Sequence, residues 1–142
     1  MREAQRQSNL KIMKYAYTIF YVEDVEKTIA FYESAFGFKK KFITPEGDYG
    51  ELISGETTIA FASHQLGRSN FSGGFKKSVL KTKPFGIELA FTTETIENDF
   101  KHAIKAGAVE FEPLTKKPWG QSVGYLRDIN GFLIEVCTPM KH

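Results

Sequence analysis

One cysteine, Cys137, is too few for a disulfide within the chain, so a cytoplasmic setting is expected. No apolar run approaches the ~20 residues that a membrane-spanning helix requires, and no membrane partner is expected. The opening MREAQRQSN lacks the basic, apolar and small-residue order of a secretory signal. It reads as part of a polar leader over 1–14, with Met13 as an alternative start. Between Glu56 and Glu88 there is no Asp or Glu, whereas Arg68, Lys76, Lys77, Lys81 and Lys83 fall in that interval. Two readings stay open for it, a solvated basic loop or an anion-attracting rim. The net charge of +2 is too small to imply nucleic acid, and no recognition helix or aromatic-basic motif accompanies it, so no nucleic-acid partner is expected.

What the chain does contain is a repeat. YAYTIFYV (15–22) is rich in aromatic and β-branched residues, as strands are. Asp24 is placed to cap a helix over 25–36, in which Val25, Ile29, Tyr32 and Phe36 recur at spacings of four, three and four. Gly37 supplies a left-handed stop. Three short strands follow in FKKKFITP, YGELISG and TTIAFASH. The second half repeats the order: FGIELAFTT (85–93), a helix carrying Ile96, Phe100, Ala103 and Gly107, then AVEFEPL, QSVGYLRD and FLIEVCTP. A tight Asp128-Ile129-Asn130-Gly131 turn joins the last two. The fold expected is therefore α+β, two βαβββ modules (15–64 and 85–142) forming a cupped mixed sheet with the helices outside. A Gly/Ser/Lys-rich connecting loop over 65–84 separates the modules, and the whole makes one compact domain. The physical reason for two modules is coverage, since one helix shields only one face of its sheet.

Strand alternation then says which residues leave the helix-packed side. Ile87, Leu89 and Phe91 suit the helix, leaving Glu88, Ala90 and Thr92 opposite. Phe132, Ile134 and Val136 do the same, leaving Leu133, Glu135 and Cys137. In TTIAFASH the opposite set is Thr58, Ala60, Ala62 and His64; in the first strand it is Tyr17, Ile19 and Tyr21. Alignment of the repeats makes Ala60 the counterpart of Glu135, and Tyr17, with a one-residue shift, that of Glu88. Two ionised carboxylates in one partly dry cup repel, so one should take a proton or gain a cationic partner. Such a pair serves as a general acid and base, grips a donor-bearing ligand, or is tied to backbone N–H groups or a basic side chain. Trp119 offers a flat wall for a ligand or ordinary packing at a sheet edge. Phe71 and Phe75, aromatic in a polar loop, are expected to close over the cup or bury against a second subunit. His64 reads as a strand-end residue near solvent, His102 and His142 as surface groups, and Cys137 as a small buried hydrophobe.

The segments TIFYVEDVEKTIAFYESAFGF, GIELAFTT…AIKAGA and PWGQSVGYLRDINGFLIEV resemble the vicinal oxygen chelate superfamily, which groups glyoxalases, bleomycin-resistance proteins and extradiol dioxygenases. The likeness spans Tyr15 to Pro139. It implies a ligand site in the cup, a homodimer and, in metal-dependent members, ligands at the positions of Tyr17, Ala60, Glu88 and Glu135. Of these, Glu88 and Glu135 are the candidate metal ligands and the candidate catalytic pair, an incomplete set, so the expected cofactor is none or a divalent metal ion. The first expectation is a protein that binds a small aromatic or amphipathic molecule between the modules without a full metal site, through Tyr17, Tyr21, Trp119, Phe71 and Phe75. The second is a metal-dependent glyoxalase-like lyase or related enzyme using Glu88 and Glu135, with Tyr17 orienting substrate. The third is a structural dimer whose own aromatics fill the cup. The resemblance leaves open whether the chain is an enzyme. The bleomycin-resistance branch typically binds a cationic drug, and the basic 68–83 interval argues against that same ligand.

Overall fold

The computed structural model describes residues 11–140; the first ten residues of the polar leader, Lys141 and His142 lie outside them. The first module runs β1 (Thr18–Val22), α1 (Val25–Phe36), β2 (Lys39–Ile43), β3 (Tyr49–Ser54) and β4 (Thr57–Ser63). The second runs β5 (Glu88–Thr92), α3 (Ile96–Lys105), β6 (Val109–Lys116), β7 (Ser122–Arg127) and β8 (Leu133–Cys137). Between them the connection opens with a short helix, α2 (His64–Asn70). The strands form two four-stranded sheets of the same order, β1-β4-β3-β2 and β5-β8-β7-β6, with no closed barrel. In each, only the pair formed by the module's first and last strands is parallel. The α+β class and the two βαβββ modules stand as read from the sequence.

Local chemistry explains the elements. The Asp24 side chain accepts from the Lys27 N–H and caps α1, and Gly37 ends it in the left-handed region at φ 75°. Each helix lies close on its sheet because a glycine sits beneath it. A Cβ on Gly50 would come within 2.5 Å of Ile29 Cδ1, and one on Gly124 within 2.6 Å of the Phe100 ring. Ile29 and Phe100 hold the same place in the repeat, as do Gly50 and Gly124 in their strands, so the duplication extends to packing. The repeats differ in length at the helix ends: α1 has twelve residues, and α3 has ten and closes through Ala106 and Gly107.

The helix-covered faces of both sheets share one core, in which α1 packs on α3. Phe20 meets Phe132 with ring centroids 4.9 Å apart, and Phe36 and Phe38 meet Phe91 at 5.0 and 4.9 Å. At its centre is the turn read at 128–131. Asp128 is fully buried, its Oδ1 accepting from the Asn130 and Phe132 N–H groups at 2.8 and 2.9 Å and its Oδ2 from the Tyr32 hydroxyl. The Asn130 amide donates to Thr28 Oγ1 at 2.9 Å, so the same turn holds α1 twice.

The opposite faces carry neither α1 nor α3. Helix α2 with Phe71 and Phe75 packs over the Tyr21 end of the first. The 79–80 segment lies against Arg127 on the second, and Glu88 and Glu135 stay accessible. Among the described residues, no hydrogen bond, ion pair or ring contact joins one free face to the other. The connection is clamped to the second module by Arg127, itself buried, which donates to the carbonyls of Gly131 (3.0 Å), Leu80 (3.2 Å) and Val79 (3.1 Å).

Removing the Tyr32 hydroxyl leaves a buried carboxylate oxygen short of a donor, so Tyr32→Phe should cost about 1–3 kcal/mol in urea denaturation. Burial first, then the charge and hydrogen bond of Asp128, push the Tyr32 phenol well above its ordinary value. The unfolded chain therefore gives up that proton first. The stabilisation is fully present below about pH 10 and is lost as pH rises toward the folded value. Wild type should lose stability more steeply than Tyr32→Phe above about pH 10; parallel curves would refute the assignment.

Candidate functional site

On the free face of the second sheet, β5 presents Glu88, Ala90 and Thr92, all exposed, while β8 presents Leu133, Glu135 and Cys137. The register aligns Ala90 with Glu135 and Glu135 with Tyr125, which brings a phenol from β7 into the group. Tyr125 donates to Glu135 Oε1 at 3.0 Å. Partial desolvation, then interaction with the Glu135 carboxyl and its charge, raises the Glu88 pKa. Desolvation and the Glu135 hydrogen bond push Tyr125 up to about 12. Burial and Glu135 raise the Cys137 thiol as well, which keeps it protonated and unreactive near neutral pH. Among the described residues no lysine or arginine pairs with either glutamate; the ion pair found there is Lys41–Glu51, at 3.6 Å.

The free face of the first sheet is built differently. Ile19, Ala60 and Glu51 align across β1, β4 and β3, just as Ala90, Glu135 and Tyr125 align across β5, β8 and β7. Tyr17 is thus the counterpart of Glu88, and Ala60 that of Glu135, as the sequence alignment expects. The carboxylate here is Glu51, which the sequence reading did not single out. It is buried, accepts from the Tyr49 hydroxyl at 2.7 Å and faces Lys41. Burial first, then hydrogen bonding with Glu51 and Tyr17, drives the Tyr49 phenol far above its ordinary value. Tyr17 therefore belongs with Tyr49 and Glu51, not with Glu88 and Glu135. Carrying the alternation of strand faces across to β3 and β7 would have found Glu51, Tyr49 and Tyr125.

Tyr21 gathers the loop aromatics, with Phe71 and Phe75 at ring-centroid distances of 5.7 and 5.0 Å. The Phe75 ring occupies the space a Cβ on Gly67 would need, and also meets His64 at 5.8 Å. His64 opens α2 rather than ending β4, with its Nε2 buried and without a hydrogen-bond partner. Burial, then the charge of Lys77, lowers its pKa. Trp119 stands apart from these groups and is 63% exposed. Its indole N–H donates to Gln121 Oε1 at 2.8 Å, and the Gln121 amide is anchored on the Thr138 carbonyl at 2.7 Å. The held ring forms one wall of a cleft of about 410 Å³ whose rim includes Glu94, Lys116 and Ser122.

Two modules of one topology, a carboxylate on the last strand and the Pro-Trp-Gly hairpin lead to one family, and residues 15–141 match the glyoxalase-like domain. The chain belongs to the glyoxalase-like family. Solved structures agree on the fold of this glyoxalase-like chain. A glyoxalase-related enzyme from Fulvimarina pelagi superposes with a TM-score of 0.74 at 19% identity, covering 90% of this chain and 89% of its own. A glyoxalase/bleomycin resistance protein/dioxygenase family enzyme from Burkholderia phytofirmans gives 0.74 at 19%, covering 87% and 96%. A member of the same superfamily from Sphaerobacter thermophilus gives 0.67 at 24%, covering 92% and 100%. No curated protein matches the chain.

The metal positions implied by the superfamily do not make a site here. Ala60 has no donor atom, Tyr17 is engaged with Tyr49, and only Glu88 and Glu135 remain. No group of three or more His, Cys, Asp or Glu placed to hold an ion occurs among the described residues. Two carboxylates fall short of the three or more ligands that a stable divalent site needs.

If Glu88 is held up by its neighbour, Glu135→Gln should move its titration down toward the ordinary glutamate range. Carboxyl-carbon NMR over a pH series reads this directly, and an unmoved Glu88 would break the pairing.

Proposed function

We propose that this glyoxalase-like protein binds a small aromatic or amphipathic molecule on its free sheet faces, without a full metal site. One observation carries the reading: the second module leaves a carboxyl pair with no cationic side-chain partner on an open face. Carboxyls that raise one another's pKa in an accessible patch are a mark of a binding site, and this pair is the reason for placing the ligand there. The cleft under Trp119 supports it, since an exposed indole fixed by Gln121 and Thr138 is a ready stacking surface. Ligand contacts are assigned to Glu88 and Glu135 within one chain, with Trp119 as a separate stacking surface; Tyr17, Tyr21, Phe71 and Phe75 would join them across a dimer.

The free faces also bear on assembly. Tyr17 and Ile19 on the β1 edge, and Ile87 just before β5, are large and exposed. A second copy laid across these edges would close the cup that one chain leaves open, so the working unit is a homodimer. No helix among the described residues is long and apolar enough to cross a membrane. A cytoplasmic setting is proposed from the lone cysteine.

A catalytic reading draws on the same pair. Glu88, its carboxyl raised above its usual range by burial and by the neighbouring Glu135, could serve with Glu135 as an acid and base pair. Binding stands first because the held indole of Trp119 supplies a stacking surface, whereas the thiol beside the pair, Cys137, is kept protonated.

Titrating the protein with aromatic amines, acids and neutral compounds should quench or shift the fluorescence of its single tryptophan for at least one class. Glu135→Gln should weaken that response about tenfold, as loss of a charged hydrogen bond predicts. Sedimentation should report a dimer. Silence across the panel, or a response indifferent to Glu135→Gln, would overturn the binding reading.

A further inference from the structure

A second cavity lies away from the free faces, where the modules meet. It encloses about 360 Å³ between the C-terminal end of α1 (Ser34 to Phe36, with Gly37 and Phe38), the ends of β5 and β8, and α3. That volume falls in the range of small-molecule pockets. Phe36, Phe38 and Phe91 form one wall, with ring centroids 4.9–6.0 Å apart, and each stays only half-buried. Core rings so closely clustered are normally covered. Here they leave apolar surface facing the cavity.

Asp99 is the carboxylate that lines it, and His102 is the lining side chain able to carry positive charge. The last turn of α1 carries no basic side chain, so the negative end of its dipole meets only the His102 ring there. His102 spends its Nε2–H on the Ser34 carbonyl at 2.7 Å. Asp99 lines the cavity as a carboxylate, kept ionised by hydroxyl donors from Thr93 and Thr95. No lysine or arginine lines the cavity. Aromatic rings, helix-end carbonyls and one carboxylate all favour a positive charge.

We infer that this junction cavity is a binding site for a small organic cation, an ammonium group carried on an apolar or aromatic body. Because its walls come from both modules, the occupant bridges α1 and α3 and stiffens their contact. The site is separate from the one proposed above, and its ligand need not be the same molecule.

The test is an NMR titration of the full chain with benzyltrimethylammonium, with benzyl alcohol and benzenesulfonate as neutral and anionic counterparts. The cation should shift the amide signals of Gly37, Phe91 and His102, and bind about fivefold more tightly than the alcohol. Benzenesulfonate should leave those signals in place. Asp99→Asn should weaken the cation, and so should Phe38→Leu, which keeps the Thr93–Asp99–Thr95 array intact. Glu135→Gln should leave this binding unchanged, which separates the two sites. Equal binding of the sulfonate, wild-type affinity in both cavity variants, or no shift with the cation would each overturn the assignment.

Discussion

One buried carboxylate fixes how the two halves of this protein meet. Asp128 lies ninety-six residues from Tyr32 in sequence, yet the tyrosine hydroxyl completes its hydrogen-bond set. Without it, the turn that positions β8 would bury a carboxylate oxygen unmatched, and α1 would lose the most buried of its polar contacts with the second module. Burial raises the Asp128 pKa, and the donors of Tyr32, Phe132, Asn130 and Gly131 pull it partly back. The apolar core supplies most of the attraction between modules, but it is not directional. The Asp128 array fixes which residue of α1 meets which residue of the turn. The position of the Glu135-bearing strand follows from that choice.

Much of the architecture was legible because both periodicities are clean. Val25, Ile29 and Tyr32 mark a helix stripe, and Phe132, Ile134 and Val136 mark a strand face; all but the half-buried Phe132 are buried. The alternation also placed Glu88 and Glu135 on one face correctly. The helix at 64–70 was not legible, because Gly67 and the run Arg68-Ser69-Asn70 carry loop chemistry. A tertiary contact, the Phe75 ring against Gly67, settles it. Glu51 was missed for a different reason. YGELISG reads as a strand, but nothing local says that its carboxylate has a lysine and a tyrosine waiting on neighbouring positions. Asp128 looked like turn chemistry alone, since its partner is almost a hundred residues away.

The duplicated faces show how little must change for a repeat to diverge in chemistry. In one module the carboxylate sits on the third strand, neutralised by Lys41 and sheltered by phenols. In the other the carboxylates sit on the first and last strands, with no countercharge. The registers across β1, β4 and β3 and across β5, β8 and β7 are the same, while β2 and β6 differ in length and bulges. Substitution at aligned positions such as Tyr17/Glu88, Ala60/Glu135 and Glu51/Tyr125 converts a satisfied polar patch into one with unbalanced charge on a shared scaffold.

The Arg127 clamp has a consequence for how copies of this chain could trade halves. Exchange of modules between subunits needs a hinge that swings free, and the connection is the only segment long enough to provide one. All three of Arg127's bonds hold that segment or the turn beside it, so residues beyond Val79 travel with the second module as a rigid body. Phe71 and Phe75 are held on Tyr21 in the same way, so the pivot narrows to the few residues between Phe75 and Ser78. A hinge that short cannot carry a module to another subunit without first unseating one of the two anchors.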